Sequence, residues 1–129
     1  MKASKQTDHC PCDSGLPYIQ CCQPLHIGQP APCAQALMRS RYSAYVLQLT
    51  QYLIQTWHPD TRPSDLDLTQ DHTKWLGLTI IRAENTSLDT AIVEFVARYK
   101  VGGNRAERMH EISQFSYSDA WYYVTGQVK

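Results

Sequence analysis

The stretch that decides the fold is Thr90-Ala-Ile-Val-Glu-Phe-Val-Ala-Arg-Tyr-Lys-Val-Gly-Gly-Asn-Arg-Ala-Glu-Arg-Met-His-Glu-Ile-Ser-Gln-Phe-Ser-Tyr117. On both sides of Gly102-Gly103, apolar side chains alternate with polar ones, as they do in strands that have one buried face. The two glycines supply the positive φ angles that a tight turn requires. The stretch therefore predicts an antiparallel hairpin.

The alternation also predicts which face of the hairpin is buried. That face carries Ala91, Val93, Phe95, Ala97, Tyr99 and Val101 on the first strand and Met109, Glu111, Ser113, Phe115 and Tyr117 on the second. Glu111 is a carboxylate on this face, and a buried carboxylate needs a cation or hydrogen-bond donors. We expect a structural ion pair, within about 4 Å, with Arg39 or Arg41 on the helix that covers the sheet.

Helices precede the hairpin, and a further strand on each side of it completes the sheet. Apolar residues recur at intervals of three and four over 34–49 and predict a helix. A second, shorter helix is predicted over 51–57, with the Thr50 hydroxyl as its cap. Residues 75–81 and 121–125 are predicted strands. Helices followed by an antiparallel meander indicate an α+β fold.

Composition excludes several classes of function. The 129 residues hold 12 basic and 12 acidic side chains, so no net positive field favours nucleic acid. Nucleic-acid binding would rest on Lys2, Lys5 and a few arginines, and it ranks last among the hypotheses. The sequence shows neither a signal peptide nor an apolar run long enough to cross a bilayer. We expect a cytoplasmic protein without membrane association.

Four of the five cysteines are crowded into thirteen positions near the start of the chain. Two close pairs flank eight residues, with Gly15 in the turn between them, and the predicted metal ligands are Cys10, Cys12, Cys21 and Cys22. Four thiolates complete the tetrahedral shell of zinc and leave no position for a substrate. The pattern predicts one structural Zn²⁺ ion. The alternative is a set of unligated or oxidised thiols, which this spacing disfavours.

Three other residues are excluded from the predicted zinc shell. Cys33 lies eleven positions after the last of the four ligands and is the odd cysteine. His9 and His26 are reserve ligands only, because four thiolates already fill the shell.

The stretch Cys10-Pro-Cys-Asp-Ser-Gly-Leu-Pro-Tyr-Ile-Gln-Cys-Cys22 resembles the SEC-C zinc motif first noted at the C-terminus of the SecA translocation motor. Four later stretches resemble the YchJ-like family of uncharacterised bacterial proteins: Leu37-Met-Arg-Ser-Arg-Tyr-Ser-Ala-Tyr45, Tyr52-Leu-Ile-Gln-Thr-Trp-His-Pro59, Trp75-Leu-Gly-Leu-Thr-Ile80 and Val93-Glu-Phe-Val-Ala-Arg-Tyr99. The resemblance implies a SEC-C zinc knuckle over 1–31 and a nuclear transport factor 2-like domain over 32–129. In that domain a curved antiparallel sheet packs on helices and leaves a cone-shaped pocket.

The sequence departs from the family pattern at three positions. Asp13 stands where many SEC-C motifs have glycine, Gln114 where arginine is usual, and Thr125 where aspartate is expected. No cysteine follows Cys33, so a second motif of this kind is not expected in this sequence.

The favoured functional hypothesis is an adaptor that binds a protein partner through the zinc knuckle, as the resemblance to SecA implies. Apolar side chains beside the metal site form the expected contact patch, namely Leu16, Tyr18, Ile19 and Leu25. The alternative is that this patch packs on its own domain.

The second hypothesis is a small-ligand-binding protein or enzyme that uses the cone-shaped pocket for a small apolar ligand. The pocket residues predicted for it are Arg41, Trp57, His58, Glu111, Ser113 and Tyr123. Adjacent His110 and Glu111 should point to opposite faces of a strand, so no acid–base pair is visible. We assign no catalytic residue and favour a role without catalysis, with His58 expected to cap a helix end.

Overall fold

The computed structural model describes residues 8–129. Its elements in chain order are a 3₁₀ turn Tyr18–Gln20, α1 Gln23–His26, α2 Ala34–Leu47, α3 Thr50–Gln55, β1 Thr73–Asn85, β2 Thr90–Val101, β3 Glu107–Tyr117 and β4 Trp121–Val128. The four strands form one open antiparallel sheet in the order β1-β2-β3-β4. The α+β prediction, helices first and a meander after them, is confirmed.

The predicted hairpin of β2 and β3 is present. The two strands pair antiparallel from Thr90 opposite Ser116 to Tyr99 opposite Glu107. Gly102 has a φ of 58°, which is the left-handed conformation that the turn requires. The repeated glycine thus located the turn correctly, but Gly103 does not adopt the positive φ that was predicted for both glycines.

The inner face of the hairpin matches its predicted pattern over most of its length. Side chains that are 3% exposed or less are Ala91, Val93, Phe95, Ala97, Ser113 and Phe115. The prediction is wrong at Val101 and Tyr117, which are more than 40% exposed. Both are the last residues of their strands, so they extend past the buried part of the sheet.

The helix boundaries differ slightly from prediction. α2 ends at Leu47 because Gln48 adopts a left-handed φ of 58°, a conformation that cannot continue a helix. Thr50 lies inside α3 and makes no capping hydrogen bond, so its predicted role is wrong. β1 and β4 are longer than predicted because their pairing with neighbouring strands extends beyond the apolar runs.

The segment before α2 is more ordered than its sequence suggested. No helix was predicted before residue 34, yet the segment contains a 3₁₀ turn and α1. Cys10, Cys12 and Cys22 belong to the same buried cluster as Leu37 on α2 and Phe95 on β2. The cysteines are therefore part of the main core. None of the helices in residues 8–129 is long and apolar enough to span a membrane.

Candidate functional site

The four cysteines of the predicted zinc site lie together. Their Sγ atoms are all within 4.8 Å of one another. Cys21 Sγ is 3.6 Å from Cys12 Sγ and 3.9 Å from Cys22 Sγ. Zinc bound at about 2.3 Å by four thiolates in a tetrahedron places the sulfurs about 3.8 Å apart. Disulfide sulfurs are about 2.05 Å apart. The four thiols can hold a metal ion and are not cross-linked.

Polar side chains from outside the motif surround these sulfurs. The Ser43 hydroxyl on α2 donates to Cys22 Sγ at 3.3 Å. Arg39 Nη1, also on α2, donates to the Cys12 carbonyl oxygen at 2.8 Å and lies 3.8 Å from Cys12 Sγ. A guanidinium beside four thiolates offsets part of their negative charge. No sequence signal linked these two α2 residues to the cysteines.

The thiols influence one another's ionisation. Hydrogen bonds from Cys10 and Cys22 lower the pKa of Cys12, so a single thiolate is stabilised there. Burial raises the pKa of Cys21 to about 11, and hydrogen bonding to Cys10 and Cys12 raises the pKa of Cys22. A metal-free group therefore keeps protons at neutral pH, and metal binding must release them.

A turn between the two cysteine pairs is built on left-handed backbone. Asp13 has a φ of 64° and Gly15 a φ of 87°, and the Asp13 N–H donates to the Cys10 carbonyl oxygen at 3.2 Å. Glycine adopts such angles freely and aspartate tolerates them. A glycine at position 13 would therefore also fit this turn. The aspartate here adds a contact, because its Oδ2 accepts from the Leu78 N–H at 3.1 Å.

The reserve ligands lie outside the four-cysteine group. His26 Nε2 donates to the Ser40 carbonyl oxygen at 2.8 Å, and its Nδ1 accepts from the Tyr18 hydroxyl at 2.7 Å. Both ring nitrogens are therefore occupied. His9 is exposed, and exposed Cys33 is the residue that precedes α2.

A second candidate site is a cavity of about 290 Å³ between α2 and the sheet. Its walls are mainly aromatic and apolar, with a few polar groups: Met38, Arg41, Tyr42, Tyr45, Trp75, Phe95, Ala97, Met109, Glu111, Ser113 and Tyr123. Four of the predicted pocket residues line it, namely Arg41, Glu111, Ser113 and Tyr123. Tyr42, Tyr45 and Trp75 were missed because their spacing was equally typical of a packed core.

Arg41 is buried at the wall of this cavity, with 3% of its surface exposed. Its Nη1 donates to the Leu53 carbonyl oxygen at 2.9 Å and to the Thr56 hydroxyl at 2.7 Å. The guanidinium carbon lies 5.0 Å from the Trp57 ring centroid and 4.6 Å from that of Tyr123. Trp57 thus contacts Arg41 and contributes indirectly to the site. Its buried Nε1 has no hydrogen-bond partner among residues 8–129.

The predicted ion pair of Glu111 is wrong. No cationic group in residues 8–129 lies within 4.0 Å of its carboxylate. Oε2 instead accepts from the Ser113 hydroxyl at 2.8 Å. The pairing fails because both arginines are engaged elsewhere, Arg39 at Cys12 and Arg41 at Leu53.

His58 neither caps a helix nor lines the cavity, contrary to both predictions. α3 ends three residues earlier, at Gln55. His58 Nδ1 accepts from the Asp60 backbone N–H at 3.0 Å, and the backbone N–H of His58 donates to the Tyr123 carbonyl oxygen at 2.8 Å. It therefore stabilises the turn after α3.

The chain is similar to a known protein family and to individual bacterial proteins. Residues 33–126 match the family model described as "YchJ, middle NTF2-like domain". The chain belongs to the YchJ-like family. A UPF0225 protein of Xanthomonas campestris is 50% identical over 126 residues, covering 96% of this chain and 98% of its own. One from Chromobacterium violaceum is 53% identical over 137 residues, with 99% of both chains covered.

Two solved structures are similar to this YchJ-like chain. A SEC-C motif containing protein from Rhodopseudomonas palustris has a TM-score of 0.84 and 32% identity, covering 95% of this chain and 99% of its own. A sec-c motif containing protein from Psychrobacter arcticus has a TM-score of 0.80 and 31% identity, covering 96% and 84%. The predicted combination of a SEC-C motif and a nuclear transport factor 2-like domain is confirmed. Its boundary between residues 31 and 32 stays a prediction.

Proposed function

We propose that this protein binds a small ligand in the cavity beside Arg41 and that one structural Zn²⁺ ion stabilises the helix that carries this arginine. The observation that supports the proposal is the guanidinium itself, which is 3% exposed and has no carboxylate within 4.0 Å among residues 8–129. Burying a charge without an opposite partner is unfavourable, and such charges often belong to sites that recognise a ligand.

Zinc is the metal that the donor set favours. Four soft thiolates with sulfur separations of 3.6 and 3.9 Å suit a tetrahedral ion, and a closed shell makes the site structural. Cys12 and Cys22 contact Arg39 and Ser43 of α2, so the ion would fix the N-terminal segment to this helix. Free thiols also suit a reducing compartment such as the cytoplasm.

Binding is a better fit to the cavity than catalysis. Glu111 is the carboxylate in its wall, and its observed partner is the Ser113 hydroxyl. Among the described residues that line the cavity there is no histidine or cysteine. Catalysis in the cavity would therefore depend on the Ser113 hydroxyl and the carboxylate that accepts from it, without the histidine that commonly activates a serine.

A protein partner at the N-terminal segment stays a prediction. Tyr18 packs against the core, while Ile19 and Leu25 are half-buried, so the expected apolar patch lies largely on its own domain. In the described part of the segment, from residue 8 onward, the exposed large apolar side chains are Leu16 and Ile27, 49% and 76% exposed. Two side chains offer far less surface than the roughly 800 Å² per partner of a stable interface.

Ligand-observed NMR tests the binding function. The zinc-containing protein is screened with one- and two-ring fragments that are neutral, anionic or cationic. We expect binders whose amide shift changes map to the cavity walls. Binding should be lost in Met109→Trp, which fills the cavity, and kept in Leu88→Trp, which adds the same side chain at a fully exposed position. Equal binding to both variants, or no binder at all, would overturn the proposal.

A further inference from the structure

The cavity contains two opposite charges that do not contact each other. Arg41 and Glu111 both line it, yet they do not form an ion pair within 4.0 Å. Each already has protein partners, namely Leu53, Thr56 and Tyr45 for the guanidinium and Ser113 for the carboxylate. None of these partners neutralises the charge of the group it contacts. The guanidinium can therefore donate a further hydrogen bond to a ligand in the cavity, and the carboxylate can accept one.

A guest in the cavity would hydrogen-bond to the edge of the guanidinium, because its N–H donors lie in the plane of the group. The guanidinium carbon lies over the rings of Trp57 and Tyr123, 5.0 and 4.6 Å from their centroids. Two of its hydrogen bonds to protein leave from Nη1 toward α3, and the Tyr45 side chain forms another. A guanidinium carries five N–H donors in a planar fork, so the remaining donors suit an in-plane acceptor.

The other walls of the cavity are flat and apolar. Tyr42, Tyr45, Trp75 and Phe95 line it, and Tyr42 and Tyr45 both contact the Trp75 ring, at centroid distances of 5.6 and 6.1 Å. Aromatic walls favour a planar guest. A volume of about 290 Å³ is near the lower end of small-molecule sites and limits the guest to one or two rings.

The charges of the two groups cancel, so the electrostatics select a guest without net charge. We propose that the ligand is a planar cyclic amide, whose carbonyl oxygen accepts from Arg41 and whose N–H donates to Glu111. This inference rests on the proposed binding function and adds the ligand class to it. An anion would be attracted by Arg41 and repelled by Glu111. A cation would be attracted by Glu111 and repelled by Arg41.

Four two-ring probes separate these possibilities in equilibrium binding to the zinc-containing protein. The first is 2-quinolinone, which has both a hydrogen-bond acceptor and a donor. Quinoline has only an acceptor, indole has only an N–H donor, and 2-naphthoate is an anion. A hydrogen bond to a charged group corresponds to about a tenfold change in affinity. We therefore expect 2-quinolinone to bind at least about tenfold more tightly than each of the other three.

Glu111→Met tests the donor side, with Glu107→Met as the matched control on the exposed part of the same strand. The first variant should reduce the preference for 2-quinolinone over quinoline to about twofold or less, because the acceptor for its N–H is gone. The control should keep the preference. Equal affinities for all four probes, or tightest binding of 2-naphthoate, would overturn the cyclic-amide inference and leave the binding function standing. Failure of all four to bind would overturn both.

Discussion

Asp13 Oδ2 accepts a hydrogen bond from the backbone N–H of Leu78 at 3.1 Å, across 65 positions of the chain. The contact joins the turn between the cysteine pairs to the interior of β1, beside the irregularity at Gly77. Arg98 Nη2 lies 3.9 Å from the same oxygen. The N-terminal segment is thus attached to the sheet by a specific polar contact as well as to α2 by the cysteines.

Replacing Asp13 should measure the strength of this attachment. Asp13→Gly keeps the left-handed backbone and removes the carboxylate, so we expect the free energy of unfolding to fall by about 1–2 kcal/mol. Asp13→Ala should lose about 1 kcal/mol more, because alanine is strained at a φ of 64°. Denaturant unfolding of the zinc-containing protein checks both values. Asp65→Ala, at an exposed aspartate, is the control and should change little. Equal losses in all three variants would contradict the contact.

Gly126 controls the position of the Glu111 carboxylate. A Cβ at this position would overlap Glu111 Oε2 and lie 3.1 Å from the Tyr123 hydroxyl. Gly126→Ala should therefore displace the carboxylate from Ser113 and lower the free energy of unfolding by about 1 kcal/mol. It should also weaken the preference for a cyclic amide. Gly103→Ala, where a Cβ meets nothing within 4 Å, should leave both unchanged. Wild-type ligand preference in Gly126→Ala would argue against a role for Glu111.

The pH dependence of stability should report His26. Burial lowers its pKa below the ordinary 6.5, so the folded chain favours the neutral ring. As the pH falls through about 6.5, the unfolded chain takes up a proton that the folded chain does not, and the free energy of unfolding decreases. Denaturant unfolding between pH 7.5 and 5.5 should show a shallower slope in His26→Gln than in the wild type. His72→Gln, at an exposed histidine, should keep the wild-type slope. Identical slopes in both variants would contradict this assignment.

Metal removal should affect α2 as well as the N-terminal segment. The structure places Arg39 and Ser43 of α2 against the cysteines, so we expect α2 to lose amide-exchange protection on chelation while the β2–β3 hairpin keeps it. Loss confined to residues before Pro32 would contradict this expectation and favour an independent knuckle.

The sequence predicted what depends on local pattern. Alternation identified β2 and β3, the paired glycines located their turn, and the cysteine spacing identified four thiols that lie within 4.8 Å of one another. These features depend on residues close together in the chain. They also carry strong propensities or a distinctive chemistry.

The sequence did not predict contacts between distant segments. The charges of Arg41 and Glu111 and their predicted faces were compatible with an ion pair. The Arg41 guanidinium instead donates to the backbone carbonyl of Leu53. A backbone acceptor leaves no signature in the sequence. The roles of Ser43 at Cys22 and of Asp13 at Leu78 were missed because each depends on how α2 and β1 pack on the N-terminal segment.

Zinc stoichiometry tests the central claim, that one metal ion in the four-cysteine group stabilises the binding domain. Elemental analysis of protein purified without added metal should give one zinc per chain for the wild type and for Cys33→Ser, whose cysteine is exposed and outside the group. Cys22→Ser should fall well below one and should unfold at lower denaturant concentration. A wild-type protein without zinc, or full zinc content in Cys22→Ser, would contradict the account.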